Sequence, residues 1–121
     1  MKIRINGNSV RLRLKRSDVT DLAETGVVSQ RISFGLHTLD YILKADSTEE
    51  PKAVFESGRI IVSIPEKFAA EWPANEIVGI EGKQDIGDND FLKILVEKDF
   101  KCLDHTDEDQ SDNYENPNRT C

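Results

Sequence analysis

Apolar and polar residues alternate along residues 2–14, a pattern typical of β-strands. The alternating apolar positions are Ile3, Ile5, Val10, Leu12 and Leu14. Residues 6–8 (Asn-Gly-Asn) separate the two runs and tolerate the positive φ angles of a tight turn. The pattern predicts a β-hairpin with one apolar face and one face of basic side chains.

A helix and a second hairpin are predicted to follow. Ser17 is placed to cap the helix, because its hydroxyl can accept a hydrogen bond from a free N–H of the first turn. Gly26 is placed to end the helix in the left-handed conformation. Residues 27–34 and 39–45 then predict two strands with a turn near Gly35.

The same order of elements recurs in the second half of the chain. Residues 53–56 and 60–64 predict a hairpin, and a short apolar stripe that precedes Pro73 predicts a helix. The remaining predicted elements are strands at residues 77–81 and 91–97, joined by turn-rich residues 84–90. We therefore predict that one hairpin–helix–hairpin unit occurs twice.

The repetition predicts how the two halves pack. We expect a β-rich α+β fold of two tandem ββαββ units, about residues 2–46 and 53–99, packed about a pseudo-twofold axis. Each unit would cover the apolar face of the other within one globular domain, residues 1–102, followed by an acidic polar tail, residues 103–121. The predicted shared core is Ile3, Ile5, Val10, Leu12, Leu14, Leu22, Ile60, Val62, Ile64, Phe68, Trp72, Ile94 and Val96.

Two segments of the chain resemble the swapped-hairpin family of AbrB and MazE. Residues 6–12 and 57–66 each contain a glycine turn followed by an alternating strand, and the second strand ends in Ile64 and Pro65. Proteins of that family are intertwined dimers, and many bind DNA through basic residues of the hairpin region. The resemblance implies a fused-dimer fold and a DNA-binding regulator or antitoxin that uses the N-terminal hairpin. The whole chain is also similar to a group of uncharacterised bacterial proteins of this length, which implies no activity.

Charge is distributed unevenly along the chain, whose formal net charge is −7. Residues 1–16 contain basic residues and no acidic one, whereas residues 103–121 are rich in Asp and Glu. The basic face of the predicted hairpin consists of Lys2, Arg4, Arg11, Arg13 and Lys15. This face predicts contact with nucleic acid or with an acidic protein partner, or else a solvated surface neutralised by carboxylates elsewhere. The negative total argues against nucleic acid.

Three residues near the C-terminal end are weak candidates for metal ligands. Cys102 and His105 have a C-x-x-H spacing, and Cys121 could supply a third ligand. Structural zinc needs four nitrogen or sulfur ligands, so this set is incomplete. A disulfide between the two cysteines and two free thiols are the alternatives. We predict no bound metal and no cofactor.

Motifs of nucleophilic, phosphate-binding, metalloprotease and dinucleotide chemistry are absent from the sequence. No leader-like apolar run follows the first residues, and no segment approaches the ~20 apolar residues needed to cross a bilayer. Both cysteines lie at or after the last predicted strand, which fits a reducing compartment. We therefore predict a non-catalytic cytoplasmic interaction module, monomer or homodimer, that binds a protein partner and no membrane.

Overall fold

Eight strands and two α-helices make up the part of the chain that the structure, a computed structural model, describes: residues 1–101, 111–115 and 117. In chain order the elements are β1 (Lys2–Ile5), β2 (Ser9–Leu14), α1 (Arg16–Thr25), β3 (Val27–Ser33), β4 (Thr38–Asp46), β5 (Lys52–Glu56), β6 (Arg59–Pro65), α2 (Glu66–Glu71), β7 (Gly79–Gly87) and β8 (Asp90–Lys98). Neither helix of this part is long and apolar enough to span a membrane. The predicted β-rich α+β fold class is confirmed.

Two four-stranded sheets contain all eight of these strands. The first sheet has the order β1-β2-β8-β7, and the second sheet has the order β3-β4-β6-β5. In each sheet, one antiparallel hairpin from each half of the chain meets the other along a parallel central pair. Leu12 lies opposite Val96 in the β2–β8 pair, and Leu43 lies opposite Val62 in the β4–β6 pair. Each half of the chain therefore contributes one hairpin to each sheet.

One hydrophobic core joins both sheets and both helices. Its fully buried large side chains are Trp72, Leu12, Leu14, Leu22, Leu43, Ile64, Ile94, Val62 and Val96. Trp72 packs against Phe68 with ring centroids 5.1 Å apart, and its indole N–H donates to the Ile77 carbonyl at 2.7 Å. Burying the indole therefore costs no hydrogen bond.

The predicted core is largely confirmed, with one clear exception. Ile3, Val10, Ile60 and Phe68 are only partly buried but pack against the core. Ile5 is 61% exposed, so its prediction as a core residue is wrong. Alternation assigns a side chain to a face of a strand, but Ile5 is the last residue of an edge strand, where that face is open to solvent.

Helix α1 begins one residue before the predicted cap. Ser17 lies inside the helix, so its prediction as the N-cap is wrong. Asp18 supplies the acceptor instead: its Oδ2 accepts from the Lys15 N–H and pairs with the Met1 ammonium, both at 2.9 Å. At the other end Gly26 has a φ of 82°, and its N–H donates to the last turn at 2.9 Å. This left-handed end of the helix was predicted and is confirmed.

Strand β7 is longer than predicted, which shortens the turn that follows. Residues 84–87 continue the strand, and only Asp88 and Asn89, both with positive φ, form the turn. The extended strand brings Gln84 to the edge of the second sheet. There its Nε2 donates to the Ala53 carbonyl at 3.0 Å, and its Oε1 accepts from the Ala53 N–H at 2.7 Å. This amide takes the place of a neighbouring strand and ties the two sheets together.

Candidate functional site

The outer face of the first sheet gathers most of the predicted basic residues. Lys2 and Arg4 on β1 lie opposite Arg13 and Arg11 on β2. Their side chains point outward because the residues between them turn toward the core. Lys15 follows the end of β2, in the link to α1, and is not part of the sheet.

The second half of the chain adds two lysines to this face. Because β8 lies next to β2, Lys93 is opposite Ser9, and Lys83 on β7 is opposite Lys93. The sequence pattern predicts basic residues on the N-terminal hairpin alone and places neither lysine on this face. Lys93 lies between Leu92 and Ile94, which indicates an outward position, whereas Lys83 lies between Gly82 and Gln84 and has no such signal. Only the pairing of β2 with β8 and of β8 with β7 places both lysines here. We define the basic surface as Lys2, Arg4, Arg11, Arg13, Lys83 and Lys93.

Carboxylates neutralise one end of the basic surface. Glu97 on β8 accepts from Arg13 Nε at 2.9 Å and lies 3.6 Å from Arg11 Nε. Asp99 pairs with Lys2 Nζ at 2.9 Å. These contacts offset the repulsion between Lys2 and Arg13, which face each other across β1 and β2. Solvated ion pairs contribute only about 0–1 kcal/mol, so they shape the local charge more than the stability.

A depression of about 670 Å³ adjoins Arg11, Lys83 and Lys93 of the basic surface. Its polar lining is Ser9, Arg11, Lys83, Lys93, Glu50 and Glu81. The Arg11 side chain is half-buried, and its planar guanidinium presents N–H donors in a fork that fits a carboxylate. Lys83 Nζ lies 4.2 Å from the centre of the Phe91 ring, a distance at which a cation and an aromatic face attract each other. Arg11, Lys83 and Lys93 therefore place positive charge around the depression, beside the carboxylates of Glu50 and Glu81.

One family model covers almost the whole chain. Residues 1–118 match the model described as "Family of unknown function (DUF7009)". The chain belongs to this family. No curated protein and no solved structure gives a significant match. Membership of DUF7009 agrees with the expected similarity to an uncharacterised family, and it gives no evidence for the resemblance to AbrB and MazE.

Membership of DUF7009 assigns no metal or cofactor to the chain. Within residues 1–101, 111–115 and 117, no three side chains of His, Cys, Asp or Glu are placed to hold a metal ion. Cys102, His105 and Cys121 lie outside the described residues, as does most of the predicted acidic tail. Their role as metal ligands stays a prediction.

Two carboxylates of the second sheet, Asp40 and Asp46, are bound by groups within the same part of the fold. Arg31 donates from Nε to Asp40 Oδ1 at 2.7 Å and from Nη2 to Asp40 Oδ2 at 3.1 Å. This hydrogen-bonded pair lowers the pKa of Asp40 and raises the pKa of Arg31. The Ser47 N–H and then the Lys44 ammonium lower the pKa of Asp46 in the same way. These carboxylates are engaged within the fold, so the candidate site lies on the first sheet.

Proposed function

We propose that this chain is a non-catalytic cytoplasmic interaction module that binds an acidic segment of a protein partner on the basic surface. The observation that carries the proposal is the convergence of Arg11, Lys83 and Lys93, from three adjacent strands, around one depression. A sheet holds these cations at fixed spacing, so less entropy is lost when a partner orders them. Hydrogen bonds between such cations and carboxylates are stronger than those between neutral groups.

Carboxylates around the basic surface favour a protein partner over nucleic acid. Glu97 and Asp99 neutralise one end of the surface, and Glu50 and Glu81 line the depression. A DNA duplex carries a phosphate on both strands at every base pair, so it would meet these acids wherever it crossed the surface. An acidic peptide can place a few carboxylates on the cations and direct its other residues away. The net charge of −7 also repels the phosphates of nucleic acid at longer range.

We also propose that the two halves are related by a pseudo-twofold axis, as in a fused swapped-hairpin dimer. Exchanging β1–β4 with β5–β8 converts the strand order of the first sheet into that of the second. The same exchange converts the parallel pair β2–β8 into the pair β4–β6. This correspondence supports the resemblance to the AbrB and MazE family in fold.

The basic surface does not follow this relation between the halves. The positions in the second half that correspond to Arg4 and Arg11 are Val54 and Ile61, which lie opposite each other on β5 and β6. A symmetric DNA reader needs cations from both halves, because both half-sites present phosphates. The asymmetry therefore favours a single docking surface for one acidic segment.

Binding of a short, fluorescently labelled poly-glutamate peptide tests the proposed function. Lys83→Gln combined with Lys93→Gln is expected to weaken binding about 3- to 10-fold, because two charge-assisted contacts are removed. Lys52→Gln combined with Lys67→Gln is the matched control, since both are exposed lysines outside the basic surface, and it should leave the affinity unchanged. Fluorescence anisotropy at about 50 mM salt measures all three affinities, because screening is weak there.

A short mixed-sequence DNA duplex serves as the comparison ligand in the same assay. In one outcome the duplex binds more tightly than the peptide and loses this binding when Lys83 and Lys93 are replaced. That result would favour a DNA-binding regulator over a module that binds a protein partner. Equal peptide affinities for the double variant at Lys83 and Lys93 and for wild type would show that the basic surface is not the binding site.

A further inference from the structure

Strand β3 forms one edge of the second sheet and, among the described elements, pairs only with β4. Val28 is buried, whereas the other residues of β3 are exposed. The free side of an edge strand presents backbone N–H and C=O groups that can pair with another strand. The open side of β3 is therefore a template for an additional strand.

The hydrogen bonds between β3 and β4 identify the backbone groups at this open edge. The Phe34 N–H donates to the His37 carbonyl at 2.8 Å, and the Ala45 N–H donates to the Gly26 carbonyl at 2.9 Å. Hydrogen bonding alternates along an antiparallel pair, so every second residue between Gly26 and Phe34 also bonds to β4. The residues whose N–H and C=O groups point to the open edge are Val27, Ser29, Arg31 and Ser33.

The other three sheet edges carry features that discourage pairing. β5 is bound at Ala53 by the side chain of Gln84, β7 is interrupted by a bulge, and β1 has only four residues. β3 spans seven residues. Its one charged side chain, Arg31, is bound to Asp40 within the same sheet. β3 is thus the least protected of the edges.

We propose that β3 pairs in antiparallel fashion with β3 of a second copy of this chain, about a twofold axis at Gln30. All seven residues of the strand are then paired, and the backbone groups at the open edge form the new hydrogen bonds. The second sheets of the two copies join into one continuous sheet in a closed dimer. The resulting register pairs Ser29 with the partner's Arg31, Val28 with the partner's Ile32, and Val27 with the partner's Ser33.

The position of Arg31 and the alternation of side chains between the two faces of β3 favour this register over the neighbouring ones. A shift by one residue would set core-facing side chains against outward-facing ones. Moving the axis to Arg31 would set two arginines against each other, which is destabilising. Moving it to Ser29 would leave the last two residues of β3 unpaired. Only the axis at Gln30 keeps the full overlap and places each Arg31 against an uncharged side chain.

Exposed apolar side chains near the end of the β3–β4 hairpin favour the second copy as the occupant. Ile32, Phe34 and Leu36 are 46%, 71% and 96% exposed. Contiguous exposed apolar groups mark interaction sites on soluble proteins. The proposed register places Phe34 opposite the partner's Gly26, and no side chain or backbone atom crowds that glycine. Pairing therefore buries apolar surface on both copies at once.

Opposite charges at position 29 test the register. Ser29 is exposed, so its substitution leaves the fold intact. In the dimer the Ser29 of each copy lies opposite the partner's Arg31, which makes two equivalent pairs. Ser29→Arg is expected to raise the dimer Kd about 2- to 30-fold and Ser29→Glu to lower it by a similar factor, since each change alters two cross-strand pairs. Ser47→Arg and Ser47→Glu, in an exposed loop, are charge-matched controls that should leave the Kd unchanged.

Sedimentation velocity of the full chain between about 5 µM and 1 mM measures these constants. A monomer at every concentration would overturn the proposal. If residues of the same chain cover the edge of β3, the protein is also a monomer at every concentration, and the proposal is equally overturned. A dimer whose Kd responds in the same way to both substitutions at Ser29 would place the interface elsewhere and would equally overturn it. Peptide binding to the basic surface is independent of all these outcomes.

Discussion

Asp18 is a buried carboxylate that joins the start of the chain to the start of α1. Burial alone would raise the pKa of Asp18, but the hydrogen bonds from the Met1 ammonium and the Lys15 N–H outweigh it and lower this pKa below its usual value. A carboxyl group whose pKa is lower in the folded state stabilises the fold above its unfolded pKa. That stabilisation is lost as the pH falls through the folded pKa, which here means below about pH 4.

Asp18→Asn is expected to lower the free energy of unfolding at neutral pH by about 1–3 kcal/mol, because the buried Met1 ammonium loses its counter-charge. The variant should also show a shallower loss of stability than wild type below about pH 4. Urea denaturation followed by tryptophan fluorescence across this pH range measures both effects. Asp21→Asn, on the exposed side of the same helix, is the control and should change the stability by less than about 0.5 kcal/mol. An acid-induced loss as steep in Asp18→Asn as in wild type would contradict this role.

Among the elements, alternation and turn chemistry predict where strands and helices lie but not how they pair. Leu12, Leu14 and Val62 could be assigned to the core because each occupies an apolar position of a predicted strand, and all three are buried. The pairing of β2 with β8 joins residues from opposite ends of the chain, and no local pattern specifies it. For that reason the sequence predicts the first-half cations of the basic surface but not Lys83 or Lys93. The prediction that Ile5 is a core residue is wrong for a related reason, since alternation does not show where the helices and strands that cover a sheet face end.

The strand phase can be tested by three substitutions of one kind. Leu12→Asp and Val62→Asp each bury an unpaired carboxylate in the core, which is expected to cost about 3–5 kcal/mol or more and to prevent folding. Arg13→Asp changes an exposed neighbour of Leu12 and should retain the fold. Circular dichroism and thermal melting distinguish these outcomes. Comparable melting of all three variants would show that the assigned faces are wrong.

For the molecule as a whole, the main consequence of the topology is that neither half has a sheet of its own. The parallel pairs β2–β8 and β4–β6 each join strands from opposite halves, and one hydrophobic core contains residues of both sheets. The Gln84 amide adds a third link, between β7 of the first sheet and β5 of the second. Separating the halves would therefore break both sheets, and separating the sheets would open the core. A unit of this kind is expected to unfold in one step.

This cooperativity predicts how core substitutions in the two sheets behave. Leu12→Ala in the first sheet should lower the free energy of unfolding by about 2–5 kcal/mol, and Val62→Ala in the second by a smaller amount, because fewer methyl groups are lost. Both should shift the same single transition, with equal midpoints for the fluorescence of Trp72 and for far-UV circular dichroism. If the sheets were independent, Leu12→Ala would shift only the part of the signal that belongs to the first sheet, and the two probes would separate. The shared core argues against that result, because Leu12 and Val62 belong to the same buried cluster, and a cavity at either position weakens contacts that both sheets need.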